Sequence, residues 1–474
     1  MSDSQPTPRR VAVLGGGIAG LSAAHRLVEL DPACRVVLWE AGPRLGGVLW
    51  TVHEQGFQVE QSADNFITTV PWGLELCRRL GLGDRLIQTN PRHRQTYVVR
   101  SGRLYKLPDG FLMMAPTRMW PLAVTPILSP LGKMRAALEY FLPARTDDDD
   151  ESMAAFARRR LGREVFDRLI EPLVSAVYAA DMEKLSVLAT LPRFRDMERQ
   201  HGSLIRAMRK ERAARKAHRG ESGARYSLFV TLRDGLSSLI DALAARLPPG
   251  AVRLNSPVRQ IERAAGAWQV TLGDGRAEPF DAVIVATPAH AAARLLEPVD
   301  SLLSVKLASI EHSGTAVVTV AYQRAQIAHS LDGVGFVVPA VEKSPILAAS
   351  FSSQKYEHRA PEGTALIRVF LGGARHPEMA EMDEHRLKPL VCGELTRLLG
   401  VRGEPIYSTV ARWPRTMPQY HVGHRELVRE IQDRADALDG LALAGNYFSG
   451  VGIPNCIHTG QQATERILAP RPGV

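Results

Sequence analysis

The sequence predicts an α/β chain: a doubly wound domain built on a parallel sheet, interrupted by a mixed α+β unit and by an all-helical insert. Three observations predict it. An apolar run, Val11–Leu14, breaks into the glycine-rich stretch Gly15–Gly20 and continues as an alanine-rich amphipathic segment to Leu30, which is the pattern of strand, turn and helix. Apolar positions at Phe156, Leu161, Val165, Leu169 and Leu173 recur at helical spacing within 152–219. Between Leu302 and Leu371 the runs TAVVTVAY, GVGFVVP and TALIRVFLGG read as strands of one antiparallel sheet.

The 474 residues exceed what one ordinary core accommodates, so two or three domains are expected. With 45% hydrophobic and 23% charged residues the chain is globular, not disordered. A net charge of +9 suits a nucleic-acid, anionic-membrane or acidic small-molecule partner and does not choose between them. Cys34, Cys77, Cys392 and Cys456 form no CxxC or zinc pattern and read as free thiols of a reducing, cytoplasmic compartment. The first ten residues, MSDSQPTPRR, lack the apolar core of a signal peptide, so export is not expected. Leu112–Leu131 is the nearest approach to a spanning segment, but Arg118, Pro116, Pro121, Pro126 and Pro130 break it. The 14 histidines form no metal pattern, and no metal is predicted.

Within the glycine stretch each position has a task. Gly15 allows the tight turn, Gly17 lets a pyrophosphate approach the backbone, and Gly20 lets the helix lie against the strand, with Gly16, Ile18 and Ala19 completing the turn. The phosphates would rest on the helix N-terminus. A second strand, Val36–Trp39, ends in Glu40 and Ala41, where a carboxylate can bind a ribose hydroxyl. These features predict a Rossmann-like dinucleotide site, and by themselves they fit NAD and FAD equally. Arg44-Leu45-Gly46-Gly47 then resembles the RxGG extension of the FAD-containing amine oxidase superfamily. That resemblance implies FAD, with Arg44, Gly46 and Gly47 contacting it.

Further along, Val48–Gln61 suggests a hairpin, Pro71–Leu82 a helix, and Tyr97–Leu107 a hairpin turned at Ser101-Gly102. Thr146–Glu151, with four consecutive aspartates, reads as a solvated loop. Arg193–Arg219 is densely basic; a solvated helix face is the plain reading, an anionic-lipid contact the second and nucleic acid the third. Gly235–Leu247 reads as a helix and Val252–Asn255 as a strand. Gln269–Leu272 and Ala282–Thr287 are expected to form a hairpin about Gly273-Asp274-Gly275, the second arm being apolar enough for a buried parallel strand. Glu384–Leu399 reads as a helix on the antiparallel sheet. Leu441–Gly445 reads as a last strand, and Ile457–Leu468 as a last helix after the turn Gly450–Pro454, again offering backbone N–H groups to a ligand.

The whole chain resembles the oxygen-dependent protoporphyrinogen and coproporphyrinogen oxidases. The residues that carry the likeness are Arg158–Ser186, RRRLGREVFDRLIEPLVSAVYAADMEKLS, together with TMPQYHVGH at Thr416–His424 and AGNYFSGVGIPNCIHTG at Ala444–Gly460. The resemblance implies that FAD is held by the glycine loop, Glu40, Arg44, Gly47, Ser62, Ala63, Asp64, Asn65, Val258, Trp413, Val451, Gly452 and Ile453. Where that family reads GPDSF, this chain reads Ser62-Ala63-Asp64-Asn65-Phe66. The resemblance also implies a substrate pocket lined by Leu173, Val334, Gly335 and Val337, with Arg94, Arg100 or Arg103 as candidate cations for substrate carboxylates. The implied reaction removes hydride from a methylene bridge of a porphyrinogen to the flavin, and O2 then reoxidises the flavin to give hydrogen peroxide. No residue is singled out as a catalytic acid, base or nucleophile. Asp64-Asn65-Phe66 and Met114–Thr117 resemble the coproporphyrinogen-type bacterial enzymes more than the mitochondrial ones.

By the same resemblance the FAD domain is expected at 1–92, 225–300 and 425–474, the substrate domain at 93–112 and 301–424, and the insert, a candidate membrane-contact unit, at 113–224. The implied setting is cytoplasmic, peripheral to the membrane's inner face, with a homodimer open and no nucleic-acid partner. Two other readings share the N-terminal motif. One is an FAD oxidase or desaturase acting on amines or carotenoids, against which the insert stands. The other is a chaperone resembling the GDP-dissociation inhibitors, against which Glu40, RLGG and the C-terminal turn stand.

Overall fold

The Arg10–Leu14 strand, apolar after its first residue, lies at the centre of a five-stranded parallel sheet in the order Val252–Arg253, Arg35–Trp39, Arg10–Leu14, Ala282–Val285, Leu441–Leu443. Its strands are drawn from both ends and the middle of the chain. Burial on both faces explains why the central strands, Arg10–Leu14 and Ala282–Val285, are nearly continuous Val/Leu/Ile/Ala runs, not alternating ones. This computed structural model describes residues 8–217 and 228–469, so most of the expected polar N-terminus and the last two positions of the basic stretch lie outside the described residues.

The helix that follows the first strand, Ile18–Leu30, packs along the last helix, Ile453–Leu468. Two glycines permit this. A Cβ on Gly20 would collide with the Gly15 carbonyl, and one on Gly460 with the Ala19 carbonyl. Thr464 Oγ1 donates to the Ala23 carbonyl at 2.9 Å across the same seam. The last helix begins four residues earlier than its periodicity suggested, because Pro454 sits in its first turn, where a missing N–H costs nothing.

A seven-stranded sheet forms the second layer, in the order Tyr407–Pro418, His312–Gln323, Thr364–Gly372, Ile346–Phe351, Gly335–Val337, Thr96–Arg100, Arg103–Lys106. The Tyr97–Leu107 region is a hairpin whose turn residues Ser101 and Gly102 both have positive φ, 48° and 71°. The strands from 302–371 pair antiparallel with one another, as expected, and the Tyr97–Leu107 hairpin joins them through a parallel pairing of Thr96–Arg100 with Gly335–Val337. The Glu384–Leu399 helix packs on this sheet despite Pro389 within it. A second correction concerns the Gly273–Gly275 turn. It joins Ala267–Leu272 to Ala277–Phe280, while Ala282–Val285 leaves for the parallel sheet. The alternating arm pairs across the turn, and the continuously apolar one is drawn into the buried parallel sheet.

Between residues 119 and 217 the chain is helical. Phe156, Leu161, Val165 and Leu169 are buried in one cluster, and the backbone opens to a π-turn over Phe166–Ile170. Inside this insert Arg160 and Glu198 are fully buried, and Glu139 accepts from Ser203 Oγ at 2.6 Å and from the Leu204 N–H at 2.8 Å. Glu139 thus caps the basic helix Leu204–Ala217, which starts at that point. The aspartate run is only partly the solvated loop expected. Asp149 is exposed, but Asp147 pairs with Arg145 at 2.6 Å, Asp148 pairs with Arg199, and Asp150 accepts from Ser186 Oγ at 2.6 Å and the Gly423 N–H at 3.1 Å. The cysteines are free thiols, three of them buried.

Candidate functional site

At the C-terminal ends of the parallel strands, where ligands of open α/β sheets bind, lies a cavity of about 1270 Å³. It runs from the glycine turn to the face of the seven-stranded sheet, with one flank closed by the helical insert. Gly15, at φ 107°, donates to the Trp39 carbonyl at 2.8 Å, and a Cβ there would meet the Ala286 carbonyl, so only glycine turns this corner. The turn is cross-braced by Glu40, whose two carboxylate oxygens accept the Gly16 and Gly42 N–H groups, each at 2.7 Å. Gly17 faces open space, with nothing within 4 Å of where its Cβ would stand.

Three features suit this end of the cavity to a phosphate-bearing ligand. The helices beginning at Ile18 and Ile453 both point their N-termini into it, and neither Gly17 nor Gly452 supplies a side-chain cap, so first-turn N–H groups remain available. Thr287 Oγ1, buried on the same wall, has no hydrogen-bond partner. The Gly450–Ile453 turn is held open by Tyr420, whose hydroxyl donates to the Asn446 carbonyl and accepts the Gly450 N–H at 3.0 Å. Burial keeps that phenol far above its ordinary pKa, so it remains a donor.

Of the residues expected to hold the cofactor, Gly15, Gly17, Ile18, Ala19, Glu40, Ala41, Gly46, Gly47, Ser62–Asn65, Val258, Trp413 and Val451–Ile453 lie on the cavity wall. Gly16, Gly20 and Arg44 stand behind it. Gly16 and Gly20 serve the turn and the helix seam, and Arg44 braces its own loop, donating to the Gly47 and Leu45 carbonyls at 2.6 and 3.0 Å. Trp413 is fixed by its indole N–H, which donates to the Gln61 carbonyl at 2.7 Å. Asp64 accepts from Lys355 Nζ at 3.0 Å on both oxygens; burial would raise its pKa, but Lys355 and Arg368 hold it below the usual carboxylate value.

The four residues expected to line a substrate pocket are not on this wall. Val337 belongs to the insert's core, Leu173 packs against that core, Gly335 sits under the Ala349 carbonyl, and Val334 is tied by its N–H to the Gln95 carbonyl at 2.8 Å. The far end of the cavity is lined instead by Thr315, Val317, Leu347 and Phe370 of the sheet and by Ser175–Ala179 and Thr190–Leu191 of the insert. The expected residues are those the resemblance implies, and which residues of a strand face a chamber depends on partner strands that no local pattern reports. Arg94, Arg100 and Arg103 are also off the wall. Its arginines are Arg259 and Arg294, beside Val258 and Leu295. Neither was expected: Arg259 adjoins the expected contact Val258, and Arg294 lies on the Ala289–Leu296 helix, where nothing local marks it.

Residues 18–468 match the family of flavin-containing amine oxidoreductases. The chain belongs to that family. Curated relatives of this flavoprotein include the coproporphyrinogen III oxidase of Bacillus subtilis, 33% identical over 99% of both chains. The enzyme of the same name from Propionibacterium freudenreichii is 35% identical over 97% of this chain and 90% of its own. The mitochondrial protoporphyrinogen oxidase of Nicotiana tabacum is 26% identical over 98% and 96%. A crystal structure from Exiguobacterium superposes with a TM-score of 0.87 at 29% identity, covering 98% of this chain and 99% of that one. Putrescine oxidase, at a TM-score of 0.69 and 17% identity over 98% and 99%, shares the fold. The cofactor of this flavoenzyme is FAD, and the uncapped helix ends, the open face of Gly17 and the unpartnered Thr287 hydroxyl fit it.

Proposed function

We infer that this flavoenzyme oxidises a porphyrinogen, coproporphyrinogen III, to the porphyrin with O2 as electron acceptor, in haem biosynthesis. The observation that carries the reading is the single cavity, whose one end is built for a dinucleotide and whose other end is an apolar chamber between insert and sheet. FAD held by the glycine turn, Glu40 and the two helix N-termini would supply the hydride-accepting and O2-reducing chemistry. The chain's own contribution is to bind, orient and exclude. Thr315, Val317, Leu347 and Phe370 offer an apolar face to a flat macrocycle, and the insert segment Ser175–Ala179 closes over it. That segment is pinned to the sheet by the Ala179 carbonyl, which accepts from the Ala374 N–H at 2.9 Å and from Ser313 Oγ at 3.1 Å. The N-terminus of the Ile453–Leu468 helix supports negative charge at the cofactor.

The name shared by the bacterial relatives supports coproporphyrinogen III over protoporphyrinogen IX. Porphyrin fluorescence growth in air, with purified protein and both porphyrinogens offered in parallel, tests this. Faster oxidation of coproporphyrinogen III is expected; oxidation of neither by flavin-loaded protein would overturn the reading.

Peripheral membrane contact is the second part of the reading. Trp120, Leu131, Met134 and Phe141, in three consecutive short helices of the insert, are 76%, 77%, 66% and 74% exposed. Arg206 lies over the Tyr140 ring at 4.5 Å, next to Phe141, and the same basic helix carries exposed Arg209 and Lys210. Among the described residues no helix is long and apolar enough to cross a membrane. Sedimentation with phosphatidylglycerol vesicles at low salt is expected to carry the protein down, and W120Q/F141Q to leave it in the supernatant. Equal sedimentation of both proteins would refute the contact.

A further inference from the structure

Beneath the Ser62–Asn65 wall of the cavity lies a group of charges that no pairing scheme balances. Arg368, on the Thr364–Gly372 strand, is 1% exposed and donates to the Ser62 carbonyl. Its Nη1 lies 3.3 Å from Asp64 Oδ2, yet its Nε and Nη1 make no hydrogen bond. Lys355 reaches the same carboxylate, at 3.0 Å from each oxygen. The neighbouring Glu60 and Arg359, both buried, pair with one another at 3.2 Å and cancel. Two cations therefore face one carboxylate.

A purely structural ion pair would be expected to be balanced and fully hydrogen-bonded, since a buried guanidinium with idle N–H groups is costly. An excess cation becomes favourable where an adjacent group gains negative charge. Asp64 and Asn65 lie on the cavity wall, and Gln61, three residues before Asp64, anchors the Trp413 indole that lies on the same wall. A flavin that takes up two electrons and one proton gains such a charge, and at this burial the field of a cation is weakly screened.

We propose that Arg368 and Lys355, opposed by Asp64, form a buried net-cationic cluster that stabilises the reduced flavin and raises its reduction potential. These are positioning charges acting through the 62–65 turn, not catalytic residues. The signs of their effects are opposite, which a packing role would not produce. Removing a cation lowers the potential, and removing the carboxylate raises it.

The test is the potential of the purified holoenzyme, read anaerobically against a reference dye, with flavin content taken from visible absorbance. Lys355→Gln is expected to shift the reduced-to-oxidised ratio at a fixed dye potential by about tenfold toward the oxidised form, ~30 mV for a two-electron couple. Asp64→Asn is expected to shift it the other way, and Lys355→Arg to restore the original value. Lys355 lies at the edge of the cluster, so the Gln and Arg pair decides the matter even where Asp64→Asn fails to hold flavin. Equal potentials for Lys355→Gln and the parent, or shifts of one sign in both Lys355→Gln and Asp64→Asn, would overturn the proposal. The measurement uses no porphyrinogen, so its failure is separable from failure of the substrate reading.

Discussion

Gly17 and Gly20 are three residues apart in one turn and carry different burdens. A side chain on Gly17 enters the cavity without touching protein, whereas one on Gly20 strikes the Gly15 carbonyl. Gly17→Glu is therefore expected to fold with an unchanged Tm for the apoprotein and to purify colourless, while Gly20→Val is expected to lower the Tm of the apoprotein itself. Differential scanning calorimetry with visible absorbance separates the two, and a yellow Gly17→Glu protein would contradict the phosphate-facing role. His424 illustrates a residue whose neighbours set its charge. Stacked on Tyr420 at 4.1 Å, with Nε2 unpartnered, it is held neutral because burial lowers its pKa to about 4. The unfolded chain takes up that proton near pH 6.5, so stability from this group is complete above 6.5 and is lost as pH falls toward 4. Urea midpoints measured across that window are expected to fall less steeply in His424→Gln.

Among the elements, the insert depends most on one carboxylate. Glu139 caps the Leu204–Ala217 helix and pairs with the fully buried Arg160, so Glu139→Gln leaves that guanidinium only Glu198, at 3.3 Å and already shared with Arg159 and Arg195, at a cost of about 3 kcal/mol. The exposed Arg85–Asp234 pair is the contrast: Asp234→Asn should cost about 0.5 kcal/mol or less. Chemical denaturation of both variants checks the difference. How far such features can be read without coordinates follows their range. The Arg10–Leu14 strand, the glycine turn and the Glu384–Leu399 helix are written in local patterns, and so is Glu40 at the end of its strand. What went unread depends on distant partners: Ala277–Phe280 displacing Ala282–Val285 from its hairpin, Arg199 claiming Asp148, and Leu347 facing the chamber while Val337 turns into the insert's core. Periodicity reports which residues are buried, but not what they are buried against.

At the scale of the whole molecule, the parallel sheet, the seven-stranded sheet and the insert all contribute walls to the cavity. Flavin that binds only the folded protein should stabilise them together, by about 2.7 kcal/mol at a free concentration one hundred times its Kd. Hydrogen exchange of apo and holo protein is expected to show added protection in both sheets and in Ser175–Ala179. Protection confined to the glycine turn would mean that the parts open independently.

The seam between the Ile18–Leu30 and Ile453–Leu468 helices has a bearing on how the protein comes into being. The first of these helices emerges from the ribosome early, with its phosphate-facing end formed by local sequence, and waits while more than four hundred further residues are translated. Until the last helix lays Gly460 against Ala19, the part of the first helix that faces this seam has no cover and the cavity lacks its second helix terminus. The cradle at this end of the cavity is therefore complete only once the last helix has been made, and exposed apolar surface before that point is an aggregation hazard.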